Sequence, residues 1–168
     1  MSQFDALEFT EVEVPSVLAA QMPGECGLNP ATIGEAIGAA FCKLTGFQQE
    51  HKLTPSGPPR TLYTAYDPQG MKFVVALPIV APPAVETTDG PGFVKPLPAA
   101  KAMRFTHHGP YEGLMGTYGQ ITEFLKAKGL MQSEADWARY MPMWEEYLND
   151  PQTTPPADLL TYIYLPVK

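Results

Sequence analysis

The sequence predicts a mixed α+β domain, and three observations predict it. Apolar residues make up 45% of the chain against 17% charged, enough apolar surface to offset the conformational entropy lost on folding. The 19 prolines and 14 glycines among 168 residues exceed average usage and divide the chain into many short elements. Two helical stripes lie among β-type runs, and each half reads strand, helix, strand, strand. A chain of this length supports one compact unit, and two small similar halves can share its core.

The first helix begins at Asn29-Pro30, where Asn caps free amides and Pro fits a position whose N–H has no partner. Its stripe is Ile33, Ile37, Ala40 and Leu44, with Gly46 as the expected stop. A second helix begins near Gly109-Pro110, carries Glu112 in its first turn, and ends at Lys126, Lys128 and Gly129, charges that suit the helix dipole. Its stripe, Leu114, Tyr118, Ile121 and Leu125, repeats the first at a displacement of 81 residues. Strands are expected at Leu7 to Val14, Thr61 to Tyr66 and Lys72 to Pro78 around the first helix. Around the second they fall at Ala102 to His107, Trp144 to Leu148 and Leu159 to Pro166.

Two short matches extend the displacement. Asp67-Pro68-Gln69 recurs as Asp150-Pro151-Gln152, and Leu77-Pro78-Ile79 resembles Leu165-Pro166-Val167. This reads as a degenerate internal repeat, with one module over 1–80, a linker over 81–98 and a second module over 99–168. The linker holds too many prolines and glycines for regular structure. A second irregular segment, Met131 to Met143, carries Trp137, Tyr140, Met141 and Met143, a composition suited to capping something apolar.

Chemistry concentrates in Trp144-Glu145-Glu146-Tyr147-Leu148-Asn149-Asp150. Strand alternation sends Trp144, Glu146 and Leu148 to one face and Glu145, Tyr147 and Asn149 to the other. Helices over the Trp144 face would leave Glu145 and Tyr147 looking into the opposite concavity. The plain alternative is a pair of solvated strand glutamates. His107 and His108 point to opposite faces of their strand and cannot chelate one metal together, so no metal site is expected. One should pack near the helix start and the other be solvated. Nucleophile elbows, Cys-His signatures and glycine-rich phosphate cradles are missing from the sequence, which removes kinase, NTPase and dehydrogenase readings, and no cofactor is expected.

What remains is an aromatic and methionine inventory with one acid. Tyr66, Phe73, Phe105, Trp137, Met141 and Tyr162 are candidates to line a pocket for a flat or amphipathic ligand, with a buried Glu145 favouring a cationic or donor group. A net charge of -7 gives no drive toward nucleic acid. No run approaches the roughly 20 apolar residues of a membrane span, and the start lacks a signal-peptide pattern. The expected location is the cytoplasm, with Cys26 and Cys42 as free thiols.

The ordered combination His108-Gly109-Pro110-Tyr111-Glu112, Tyr118, Trp144-Glu145-Glu146-Tyr147-Leu148-Asn149-Asp150-Pro151 and Leu160-Thr161-Tyr162-Ile163-Tyr164-Leu165-Pro166 resembles the GyrI-like, or AraC effector-binding, small-molecule-binding domains. The resemblance covers nearly the whole chain. It implies two strand-helix-strand-strand modules about a pseudo-twofold axis, an antiparallel sheet with helices on one side, and a ligand cavity between the modules. In drug-sensing members a glutamate of the E-x-Y strand lies in that cavity. Glu145 matches it, Tyr147 matches the accompanying aromatic, and Tyr111 the tyrosine at the helix start. Where relatives often carry an acid in the final strand, this chain has Thr161-Tyr162-Ile163-Tyr164, which makes a bulky amphipathic ligand as suitable as a lipophilic cation.

The leading expectation is a stand-alone binder of a hydrophobic small molecule, because the module begins almost at Met1 and leaves no room for a DNA-binding domain. A second reading, also drawn from relatives, is a hydrolase of cyclopropane-containing electrophiles, with Glu145 as general base and Tyr147 orienting the substrate. A third is a gyrase-inhibitor-like module acting through its acidic surface. Haem binding through His107 or His108 ranks below these.

Overall fold

The computed structural model describes residues 7–67, 69–80 and 92–167. Its strands are β1 (Glu8–Val14), β2 (Val17–Cys26), β3 (Arg60–Asp67), β4 (Gly70–Pro78), β5 (Phe93–Leu97), β6 (Ala100–His108), β7 (Met143–Tyr147) and β8 (Leu160–Pro166). Helix α1 (Pro30–Glu50) lies between β2 and β3, and α2 (Leu114–Ala127) between β6 and β7. All eight strands join one antiparallel sheet in the order β1-β6-β8-β7-β3-β4-β2-β5. The α+β class and the one-sided helices follow the sequence reading.

Two expectations about strands are corrected. The strand that precedes α1 in its own half is Val17–Cys26; Leu7 to Val14 forms β1, which crosses to pair with β6. Within the expected linker, Phe93–Leu97 forms β5. It is an edge strand paired only with β2, and an edge tolerates Pro96 because a missing N–H breaks no second ladder. The rest of that linker, 81–91, lies outside the described residues.

Register shows how the sheet is bent. Glu8 to Val14 pair with Thr106 to Ala100, and Val17 to Gln21 pair with Leu97 to Phe93, with no slip across Pro15-Ser16 and Pro98-Ala99. The chain therefore runs β1 into β2 and β5 into β6 as one long ribbon, tied at its bend by Ser16 Oγ donating to the Leu97 carbonyl at 2.8 Å. Yet β1 and β2 stand six places apart in the sheet, about 29 Å if it were flat. Three Cα steps from Val14 to Val17 span at most about 11 Å. The sheet must curl until its edges approach.

Both helices lie on one face of this curled sheet. Ala40, Leu44 and Phe47 of α1 and Ile121 and Leu125 of α2 share a core with Met22, Tyr63, Phe73, Val75, Met103, Phe105, Ile163 and Leu165. Asn29 Oδ1 accepts from the Ala31 amide at 3.0 Å, the expected cap. Helix α1 continues through the expected stop at Gly46 to Glu50, since Phe47 on the next turn is buried in the core. Burying such a ring is worth about 2 kcal/mol against about 1 kcal/mol for an interior glycine. A single 3-10 turn, Tyr111–Gly113, leads into α2, and Gly129 closes it at φ 73°, the left-handed conformation that favours glycine.

On the other face no helix covers the sheet among the described residues. Ala102, Trp144 and Tyr164 nevertheless form a buried cluster with Val12, Val14 and Leu62, and Ala19, Ala76 and Leu97 form another. Curling of the sheet onto that face accounts for their burial.

Candidate functional site

The helices cover the face that carries Glu145 and Tyr147, not the Trp144 face. The reason is visible in the pairing: Glu145 is flanked by Ile163 and Thr61, which continue across the sheet to Phe105 and Val75, the apolar row on which both helices sit. Glu145 is thus an acid inside the helix-covered core, and its carboxylate is only 4% exposed.

Phenols surround it. The Tyr118 hydroxyl, from the stripe of α2, donates a short hydrogen bond to Glu145 Oε2. Tyr147 Oη lies 2.8 Å from Glu145 Oε1 and 2.8 Å from Thr61 Oγ1; having one proton, it donates to the carboxylate and accepts from the threonine. Tyr63 on β3 brings a third phenol to the same carboxylate. Burial pushes the Glu145 carboxyl above its usual range, and the hydrogen bonds from Tyr118, Tyr147 and Tyr63 and the proximity of His107 pull it partly back. The same burial, with Glu145 beside them, pushes all three phenols well above their usual range.

His107 fixes the start of α2 over this site. Its Nε2 is 2.9 Å from the Pro110 carbonyl, which can only accept, so Nε2 carries the proton; its Nδ1 is 2.6 Å from Thr117 Oγ1. Gly113 passes so near that a Cβ there would come 3.1 Å from His107 Cε1. His108 points the other way, exposed, with Nε2 3.0 Å from Glu8. The division of labour between the two histidines is the one alternation required.

Around the phenols stand further rings. Tyr111 and Phe41 of α1 both meet Tyr147 edge-on, at 5.5 and 6.1 Å between centroids. Trp137 meets Tyr118 at 5.8 Å. It comes from a 3-10 stretch, Glu134–Tyr140, held by a Ser133–Asp136 capping box and by Tyr140 Oη donating to the Leu130 carbonyl. Met141 follows, half-buried against the core.

Of the residues singled out in the sequence, the fold therefore gathers Glu145, Tyr147, Tyr111 and Trp137. Phe73 and Phe105 are fully enclosed in the core, Phe105 against Phe9 and Phe124 beneath α2. Tyr162 lies on the opposite face, under the Arg104 guanidinium. The side chain of Tyr66 lies outside the described residues. Sequence reasoning did not place Tyr63 or Thr61 in the site, and it gave Tyr118 only as part of the motif and His107 only as a haem candidate. Tyr118 could have been found as the one hydroxyl in the α2 stripe. Asn149, part of the recognised motif, is a clamp: its side chain bonds the Asp158 carbonyl and the Leu160 amide, each at 3.0 Å, across the turn before β8.

Glu145 is buried, while Phe41, Tyr111, Tyr118, Trp137 and Tyr147 around it are half-buried. Two open hollows, by Glu13, Pro15, Ala99 and Lys101 and by Pro23, Glu25, Thr64 and Lys72, lie away from Glu145. Among the described residues no group of three His, Cys, Asp or Glu is placed to hold a metal, and no helix is long and apolar enough to cross a membrane.

Similar folds are known. The C-terminal domain of EcmrR superposes with a TM-score of 0.69 at 17% identity over 97% of this chain and 98% of that one. SAV2435, in a structure bound to tetraphenylphosphonium, gives 0.63 at 14% identity over 96% and 94%. A hydrolase from Listeria innocua gives 0.56 at 12% identity over 96% and 92%. At these identities the likeness shows a shared fold. No curated protein matches the sequence. Residues 8–168 match the GyrI-like small molecule binding domain, and the chain belongs to that family.

Proposed function

We propose that this domain binds a bulky hydrophobic or amphipathic small molecule whose cationic or hydrogen-bond-donating end meets Glu145. The observation that carries the reading is a carboxylate buried in the core with phenols as its partners. A carboxyl placed there for stability alone is costly, because desolvation exceeds what neutral hydrogen bonds return. A ligand cation supplies the missing counter-charge, and the rings of Tyr111, Phe41, Tyr118 and Trp137 supply apolar area and π faces. The Glu134–Tyr140 stretch, which sets Trp137 edge-on against Tyr118, borders the way in. SAV2435 holding tetraphenylphosphonium on the same fold makes lipophilic cations the first class to test.

Thermal unfolding with tetraphenylphosphonium, a bile-acid-like anion and a neutral aromatic separates the classes, because a ligand that binds the native state alone raises the midpoint. The cation should stabilise the protein, and Glu145→Gln should weaken it by a factor of ~30 or more, the loss typical of a desolvated charge pair. Unchanged affinity in Glu145→Gln would remove Glu145 from the site.

A second reading rests on the Glu145–Tyr147 pair and on the hydrolase among the similar folds. The carboxylate would take a proton from water as the water oxygen attacks a carbon of a strained cyclopropane, the ring C–C bond at that carbon breaking and the electron pair it leaves taking up that proton, with Tyr147 orienting the substrate. Turnover by the wild type, lost in Glu145→Ala, would establish this chemistry; binding without turnover leaves the first reading.

A further inference from the structure

We propose that the helix-free face of the sheet is a second binding site, which takes a small aromatic oxyanion between Arg60 and Arg104 over the Trp144–Tyr164 stack. Four neighbouring strands build it. Trp144 on β7 and Tyr164 on β8 stack with centroids 4.9 Å apart and planes 13° from parallel. The Arg60 guanidinium of β3 stands 6.0 Å over the Trp144 ring, and that of Arg104 on β6 stands 4.2 Å over Tyr162.

Among the described residues the charges of this cluster do not balance. Glu146 is the carboxylate within the cluster; its Oε1 accepts from Tyr164 at 3.1 Å and its Oε2 lies 3.4 Å from Arg60 Nε. Glu8, on the same face, is exposed and held by His108. Two guanidiniums therefore share one enclosed carboxylate. Donors are also left over: among the described residues Nε of Arg104 and Nε1 of Trp144 are buried without a hydrogen-bond partner, and Arg60 Nε has only its ion pair with Glu146. Trp144 itself is only 5% exposed, so solvent does not satisfy its N–H.

Buried donors without acceptors are uncommon and costly. Two of them, in a cluster with one unbalanced positive charge, call for an acceptor-rich anion, which guanidinium groups bind by charge-assisted hydrogen bonds. Carboxylate and phosphate share that chemistry. The aromatic floor adds the preference for a ring. The site opens past Arg104 and Tyr162, which are half-buried, and it is separated from Glu145 by the thickness of the sheet.

The chain has two tryptophans, one on each face, so Trp137→Phe leaves Trp144 as the sole reporter. Its emission should change saturably with benzoate or phenyl phosphate and stay constant with benzamide, which has the ring without the charge. A response to one anion alone identifies which oxyanion the site takes. Arg104→Gln, checked for folding by thermal unfolding, should weaken the response at least tenfold, while Glu145→Gln should leave it intact. If Arg104→Gln does not fold, Arg60→Gln and Arg104→Lys give the same reading, the lysine keeping the charge but losing the planar fork. No saturable response to either anion, an equal response to benzamide, or loss in Glu145→Gln instead of the arginine variants would overturn the proposal.

Discussion

Replacing Glu145 by Gln should abolish the pH dependence that the buried carboxyl imposes on stability. Because burial raises its pKa in the folded protein, the fold retains a proton at a pH where the unfolded chain, titrating near 4.3, has lost it. The stability this contributes is fully present below the unfolded value and is lost as pH rises through the folded one. While the two states differ by one proton, the slope is up to about 1.4 kcal/mol per pH unit. The assay is urea unfolding of wild type and Glu145→Gln from pH 4 upward. The other carboxylates cancel in the difference, and Gln cannot titrate, so wild type should lose stability relative to the variant across that window. A lipophilic cation should bind more tightly over the same window, by up to tenfold per pH unit, because it requires the ionised form. A difference that is flat, or that rises with pH, would refute the reasoning: it would mean that the phenols and His107 outweigh desolvation and hold Glu145 ionised.

Two further outcomes test the packing. Thr161 is fully buried and its Oγ1 has no hydrogen-bond partner among the described residues, so Thr161→Val should raise the urea midpoint by the equivalent of about 1 kcal/mol; a loss of that size would show that the hydroxyl is bonded after all. Leu125→Ala removes a fully buried side chain that fixes α2 to the core and should cost about 3 kcal/mol in equilibrium unfolding, whereas a cost under 1 kcal/mol would mean that α2 is not anchored there.

The sequence carried the helices because their stripes have one period, and it carried six of the strands because their residues are β-branched and aromatic. It did not carry β2, whose Pro23 and Gly24 read as breakers; the strand persists because β4 and β5 pair on either side of it, along different stretches. It did not carry β5 either, since propensity says nothing of edges. Glu145 and Glu146 were legible as facing opposite ways, but not which way, because each face offers an acid among aromatics. Only the rows that continue across the sheet decide it. The chain from Glu145 through Ile163 to Phe105 is apolar, while the one from Glu146 leads to Arg60 and Tyr162.

That difference between rows gives two consecutive glutamates opposite electrical surroundings. Glu145 ends in phenols, donors without charge, so on the proposed function its surroundings stay negative when the carboxyl ionises and favour a ligand that brings a positive charge. Glu146 faces Arg60 and accepts from Tyr164, with Arg104 close enough to bond the same Tyr164 hydroxyl, so its negative charge is more than matched. One strand, through the two-residue period of its side chains, thereby separates an electronegative interior under the helices from an electropositive one inside the curl. A molecule with a single charged end can satisfy only one of them, and its sign decides which.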